Sequence, residues 1–280
     1  MNQKFHKFAV GDFQCMVVSD GQATFPASAL TNTLNAPAED IEAAMATIGL
    51  EGAELESNMN CLYIDTGDQR ILVDTGLGMD TAPEFGDLLR NLQQAGVYPA
   101  DIDLVFITHF HGDHLGGLIN AKGERVFPGA DYATNQLEWA YWFDEERLAA
   151  MDVDRADNLK AKLLPLREDF TFIEDGDRVA PGIRAVLAPG HTPGHTGLMI
   201  ESDGDKLFFI VDAIHQLVQM PNPEWSPVFD VDTAQSVPTR RHLLTRAADE
   251  KLLTMLYHFP YPGLGHVKKA GDGFRWLPVQ

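Results

Sequence analysis

Leu104-Val105-Phe106-Ile107-Thr108-His109-Phe110-His111-Gly112-Asp113-His114 is the stretch on which the reading of this chain turns. Its first four residues form an uninterrupted apolar run of strand length, as expected of a strand buried on both faces. The polar cluster therefore sits at the carboxyl end of a strand. Residues i and i+2 of an extended segment face the same way, so His109 and His111 offer two imidazoles to one ion. Gly112 permits the tight backbone that turns Asp113 and His114 toward a neighbouring position. A lone histidine in a polar turn more often only hydrogen-bonds. Three histidines and an aspartate behind a buried strand are costly to desolvate unless a cation compensates them. Imidazole-rich sets suit zinc, iron or nickel, whereas calcium and magnesium sites are mostly oxygen.

Outward from this stretch, the pattern alternates between groups of strands and groups of helices. Phe13–Ser19 reads as an early strand and Asp40–Ile48 as a short helix. Cys61–Asp65 and Arg70–Asp74 are two extended runs joined by Thr66-Gly67-Asp68-Gln69, which suits a hairpin. Leu88, Leu89, Leu92 and Gln93 follow helical spacing until Gly96 stops it. Asn135–Met151 reads as an aromatic-rich helix. Ile183–Leu187, Leu198–Glu201 and Leu207–Val211 read as strands that each deliver a polar group near their ends. Thr233–Tyr257 reads as largely helical, broken or restarted near Pro238. Without strict βα alternation, this order predicts an α/β (α+β) protein with two sheets face to face and helices outside.

The chain has 280 residues, 45% of them hydrophobic, and no Ser/Pro/Gly-rich linker, so residues 1–280 are read as a single domain. A formal charge of −20 repels phosphate backbones and anionic lipid surfaces. Nucleic acid and membrane are therefore excluded as expected partners. No apolar run exceeds strand length and no signal-peptide pattern is visible, so the expected location is cytoplasmic. Cys15 and Cys61 are expected to be buried free thiols.

The motif His109-x-His111-x-Asp113-His114, followed by Pro189-Gly190-His191-Thr192-Pro193-Gly194-His195 and by Asp212 after an apolar strand, resembles the metallo-β-lactamase superfamily over about residues 60–270. The resemblance implies a four-layer αββα sandwich and two divalent metal ions, zinc first, with manganese, iron or cobalt as alternatives. It assigns His109, His111 and His191 to one ion, Asp113, His114 and His266 to the other, and Asp212 as the bridge. Asp74 is implied as an outer anchor of the histidine loop, and His195 as a hydrogen-bonding group behind the ligands. A homodimer is expected on the same ground.

The segment Leu256-Tyr257-His258-Phe259-Pro260-Tyr261-Pro262-Gly263-Leu264-Gly265-His266 is similar to the terminal ligand segment of the methyl parathion hydrolase branch, which makes His266 the last ligand. His258 is read as structural, and His6 and His242 as solvent-facing, the latter in a helix with Arg240, Arg241 and Arg246. His215 stands three residues after Asp212, where N-acyl-homoserine lactonases carry a tyrosine; it either contacts substrate or packs. Glutamate replaces His111 in flavodiiron members, which disfavours a redox centre. The ribonuclease branch needs an inserted domain and basic clefts, and glyoxalase II a basic cluster for glutathione.

The expected function is a dinuclear hydrolase whose metal-bridging hydroxide attacks a small, neutral, hydrophobic ester, lactone or organophosphate triester. Asp113, Asp212 and His215 are the candidate catalytic residues. N-acyl-homoserine lactonase is the alternative, and a non-hydrolytic metal-binding or oxygen-handling di-iron protein the rival from another class. Trp139, Tyr141, Trp142, Phe143, Phe85, Trp225, Phe229 and Phe259 are aromatics from which the substrate mouth could be drawn, although each singly is more often core.

Overall fold

A computed structural model describes residues 4–50, 52–79 and 82–279. The first sheet takes its seven strands in chain order, β1 (Phe5–Val10), β2 (Phe13–Pro26), β3 (Glu54–Asp65), β4 (Arg70–Val73), β5 (Leu104–Phe106), β6 (Asp131–Asn135) and β7 (Phe170–Ile173). The second comprises β8 (Arg178–Ala180), β9 (Ile183–Leu187), β10 (Thr196–Ser202), β11 (Asp205–Phe209), β12 (Leu253–Met255), β13 (Leu264–Ala270) and β14 (Gly273–Pro278). Pairing is antiparallel from β1 to β4 and parallel from β4 to β7. In the second sheet only β11 and β12 run parallel.

Val17, Leu62 and Val105 of the first sheet join Leu198, Leu207 and Phe209 of the second in one continuous buried cluster, so the sheets pack face to face. Among the described residues eight α-helices lie outside or in the loops: α1 (Leu30–Thr33), α2 (Ala38–Thr47), α3 (Leu88–Ala95), α4 (Gly112–Leu115), α5 (Gln136–Trp142), α6 (Glu145–Ala150), α7 (Val153–Leu163) and α8 (Thr233–Asp249). Helix α3 buries Leu88 and Leu92 and ends where Gly96 takes φ +89°, the left-handed cap its sequence predicts. Helix α8 lays Leu243, Leu244 and Ala247 against Phe208 of the second sheet and Ile210 just after it. The layers are thus helix, sheet, sheet, helix.

Three expectations need correction. The single helix over Asn135–Met151 is two, because Asn135 caps α5 through Leu137 N–H and Asp144 caps α6 through Arg147 N–H. Helix α8 runs unbroken through Pro238, forgoing one intrahelical bond. It stops at Asp249 and not at Tyr257: Lys251 turns the chain at φ +55°, and Leu253–Met255 pairs in parallel with β11. The last difference relocates a site residue. Among the described residues no helix is long and apolar enough to cross a membrane. Cys15 and Cys61 are buried and free.

Candidate metal centre

The polar cluster collects where strands of both sheets end at their carboxyl edge. After β5 the chain runs out of the sheet through His109 to His111, whose φ/ψ of −74°/151° place it just outside α4. The single turn of α4 then swings Asp113 and His114 inward. His191 comes from the β9–β10 loop. There Gly190, at φ +128°, passes so close to Ser236 that a Cβ would lie 2.3 Å from its backbone. Asp212 sits in the short turn after β11, and His258 follows β12.

Nε2 of His109, Nδ1 of His111 and Nε2 of His191 form a triangle with edges of 3.0, 3.0 and 3.2 Å. Nitrogens about 2.0–2.1 Å from a tetrahedral zinc ion stand about 3.3–3.4 Å apart. Burial holds the His109 and His111 imidazoles well below their usual pKa, so both are neutral and present lone pairs. The outer nitrogens of two of these rings are occupied, His109 Nδ1 by the Thr108 hydroxyl at 3.1 Å and His191 Nδ1 by Asp230 Oδ1 at 2.9 Å.

A second group adjoins the first. Asp113 Oδ2 lies 3.6 Å from His114 Nε2 and 3.5 Å from His258 Nε2. His114 donates its Nδ1–H to Asp74 at 2.8 Å, and His258 donates Nδ1–H to the Asn58 carbonyl at 3.0 Å. These bonds fix the tautomers and turn each Nε2 toward the centre. Asp212 Oδ2 stands 3.3 Å from Nε2 of His114, His258 and His191 and 3.6 Å from that of His109, so it is common to both groups. His114 Nε2, Asp212 Oδ1 and both ring nitrogens of His215 are buried without a hydrogen-bond partner. Stranded polar atoms are expensive unless a cation satisfies them, and this donor set fits a pair of metal ions.

His266 does not belong to it. Beyond His258 the chain reverses, and β13 runs back antiparallel to β12 with Gly265 opposite Thr254, leading away from the site. His266 is exposed between buried Gly265 and Val267, and its Nδ1–H donates to the Leu252 carbonyl at 3.0 Å. The expected placement of His266 among the donors is therefore corrected: His258 stands there instead. A strand at Leu253–Met255 would have been the signal, since His258 then follows a strand end as His109 and Asp212 do.

Behind the donors lie further groups. Asp74, at φ +61°, accepts from Thr108 N–H at 2.9 Å and from the Thr108 hydroxyl at 2.8 Å besides His114. His195 donates Nδ1–H to the Ala188 carbonyl at 2.9 Å and accepts from Asp212 N–H at 3.2 Å; burial pushes its pKa down to about 3. Sequence reasoning missed Glu138, which is fully buried. Its carboxylate accepts from Phe110 N–H, Gly194 N–H, the Trp142 indole and the Thr192 hydroxyl, tying the His109–His111 loop to the His191 loop. Asp230 and Arg240 were also missed, because their partners are remote in sequence.

The donors open on a cavity of about 570 Å³ whose farther walls include Phe25, Leu30, Leu34 and Phe229. His6 is half-buried and His242 exposed. Of the aromatics singled out in the sequence only Phe229 lines this cavity; Phe259 is core, and Trp139 stacks on Phe143. His215 stands in the wall, its ring parallel to His258 at 5.3 Å between centroids, and burial pushes its pKa down to about 4.

The sequence model of the metallo-beta-lactamase superfamily matches residues 56–257. An N-acyl homoserine lactonase of Bacillus sp is 26% identical over 208 residues, covering 66% of this chain and 75% of that protein. One from Bacillus cereus is 25% identical over 174 residues, covering 55% and 62%. Among solved structures, AidC, described as a dizinc quorum-quenching lactonase, superposes with a TM-score of 0.89 at 28% identity over 100% of this chain and 99% of that one. The hydrolase AbOPH gives the same TM-score at 24% identity with the same coverage, a likeness of fold. With the profile spanning most of the chain, and the two facing sheets carrying its histidine and aspartate motifs to one edge, this protein belongs to the metallo-beta-lactamase superfamily.

Proposed function

We propose that this metallo-β-lactamase-fold hydrolase binds two zinc ions and opens the ring of N-acyl homoserine lactones. His109, His111 and His191 would hold one ion and Asp113, His114 and His258 the other, with Asp212 within reach of both. The carrying observation is the position of Asp212 Oδ2, within 3.3–3.6 Å of nitrogens of both groups, beside a largely apolar cavity. The likeness to AidC, over the full length of both chains, supports lactone as the substrate class.

A bound zinc pair supplies Lewis acidity at the carbonyl and makes water acidic enough to ionise near neutral pH. The rest falls to side chains. Water adds to the lactone carbonyl carbon, the ring C–O bond breaks, and the ring oxygen leaves as a hydroxyl after taking a proton. Asp113, whose side chain is 24% exposed against 3% for Asp212, is the more open of the two carboxylates lining the cavity; it takes the proton that the adding water gives up and passes it to the ring oxygen. His215 is neutral, so one ring nitrogen donates and the other accepts; it holds the substrate's polar edge where related lactonases carry tyrosine. Phe25, Leu30, Leu34 and Phe229 take an apolar acyl chain. Since His215 replaces that tyrosine, neutral aryl esters and phosphotriesters are secondary substrates.

A panel on the zinc-loaded protein tests this reading. N-hexanoyl homoserine lactone should show at least tenfold higher kcat/KM than a nitrophenyl ester or a nitrophenyl phosphotriester. A phosphotriester ranking first would replace lactonase with triesterase, and two bound metal ions with no turnover of any of the three would remove hydrolysis altogether.

A further inference from the structure

Arg240, on α8, is only 1% exposed and ranks first by size among the fully buried side chains of the described residues. Its Nε–H donates to the Ala213 carbonyl at 2.6 Å, and Nη1 to the carbonyls of Pro223 at 2.7 Å and Trp225 at 3.0 Å. The Ser226 hydroxyl accepts from both terminal nitrogens at 3.3–3.4 Å, and Nη2 meets Asp230 Oδ2 at 3.2 Å. The five acceptors belong to three parts of the site. Ala213 is the residue after Asp212. Asp230 spends its other oxygen on His191 Nδ1 at 2.9 Å. Residues 223–226 lead into the wall that carries Phe229, and that wall is bonded to the α1 segment, which also lines the cavity, by Val228 N–H to Thr33 O and Asn35 N–H to Ser226 O.

Burying a guanidinium and a carboxylate is a poor route to stability alone, because desolvation offsets much of their attraction and an apolar pair of like volume serves as well. What the planar fork supplies is fixed geometry toward several acceptors at once. We infer that Arg240 is a positioning residue that sets the bridging carboxylate Asp212, the ligand His191 and the Phe229 wall in one register. It thereby couples the metal pair to the acyl-chain wall. This rests on the metal assignment of the proposed function, but its first readout needs no substrate.

Metal-free protein, its Arg240→Lys variant and its Asp230→Asn variant are titrated with zinc alone, and with cobalt to follow the visible absorption of each site. Arg240→Lys keeps the charge but cannot reach five acceptors. It is expected to weaken the ion of the His109, His111 and His191 group by about 10–100-fold and the other ion less, through Asp212, and to change the cobalt spectrum of the first site. Asp230→Asn should weaken the same ion. With N-acyl homoserine lactones, Arg240→Lys should also raise KM more for a decanoyl than for a butanoyl chain, whereas Asp230→Asn should not discriminate between chain lengths. Two zinc ions bound with parental affinities by both variants would overturn the inference, even if melting temperature fell. Should Arg240→Lys fail to fold, Asp230→Asn decides the metal arm: parental affinities there overturn the link, and selective weakening of one ion upholds it. Turnover of a different substrate class would sink the lactonase reading and leave the zinc result standing.

Discussion

Nδ1 of His114 lies 2.8 Å from Oδ2 of Asp74, and this bond determines which nitrogen of the imidazole faces the metal centre. Asp74 also accepts twice from Thr108, so one carboxylate ties the end of β4 to the loop that carries His109 and His111. Replacing Asp74 by Ala frees the ring to rotate and leaves Thr108 N–H unpaired. Metal affinity or turnover should fall about 10–100-fold. Zinc titration together with lactone kinetics checks this; a variant with parental values on both would refute the anchoring role.

His258 and His266 separate the sequence reading from the structural one. His258→Ala removes a nitrogen within 3.3 Å of Asp212 and should bring turnover close to background with loss of one metal ion. His266→Ala alters an exposed position and should leave turnover unchanged and stability within about 0.5 kcal/mol. Metal content by elemental analysis and kcat/KM of the two variants decide it. The reverse pattern would restore the original assignment.

Glu138 joins two ligand loops through four donors while fully buried. Glu138→Gln keeps the shape but turns an NH2 toward groups that themselves donate. The loss should be about 1–3 kcal/mol of stability, read from urea unfolding of the metal-free protein. An unchanged midpoint and slope would show that the four bonds contribute nothing net.

Asp20 gives a pH signature away from the metal centre. Burial pushes its carboxyl up to about 6, although Leu77 and Leu88 N–H bonds favour the charged form. Because the folded pKa lies above the unfolded one, the group's contribution is full below about pH 4 and is lost as pH rises through about 6. Relative to Asp20→Asn, the parent should lose about 2–3 kcal/mol between pH 4 and 6.5. Measuring both proteins across that range cancels acid effects common to the two. Parallel stability curves would contradict the shift.

Much of this site is written locally. His109, His111, Asp113 and His114 fall within six consecutive positions after an apolar run, and His191 lies between glycines needed for close backbone approach. Asp212 follows an apolar strand within three residues. Such features depend on strand alternation, glycine freedom and the cost of burying charge, all of which act over a few residues. The choice between His258 and His266 was not local. Leu253–Met255 is too short to show a strand period, and reads as the end of α8 until β11 is there to pair with it. Glu138, Asp230 and Arg240 were invisible for a related reason. Each is an ordinary surface-type residue whose burial is tolerated only because partners from distant segments complete its hydrogen bonds, and only the packing of two sheets and their helices brings those partners within reach.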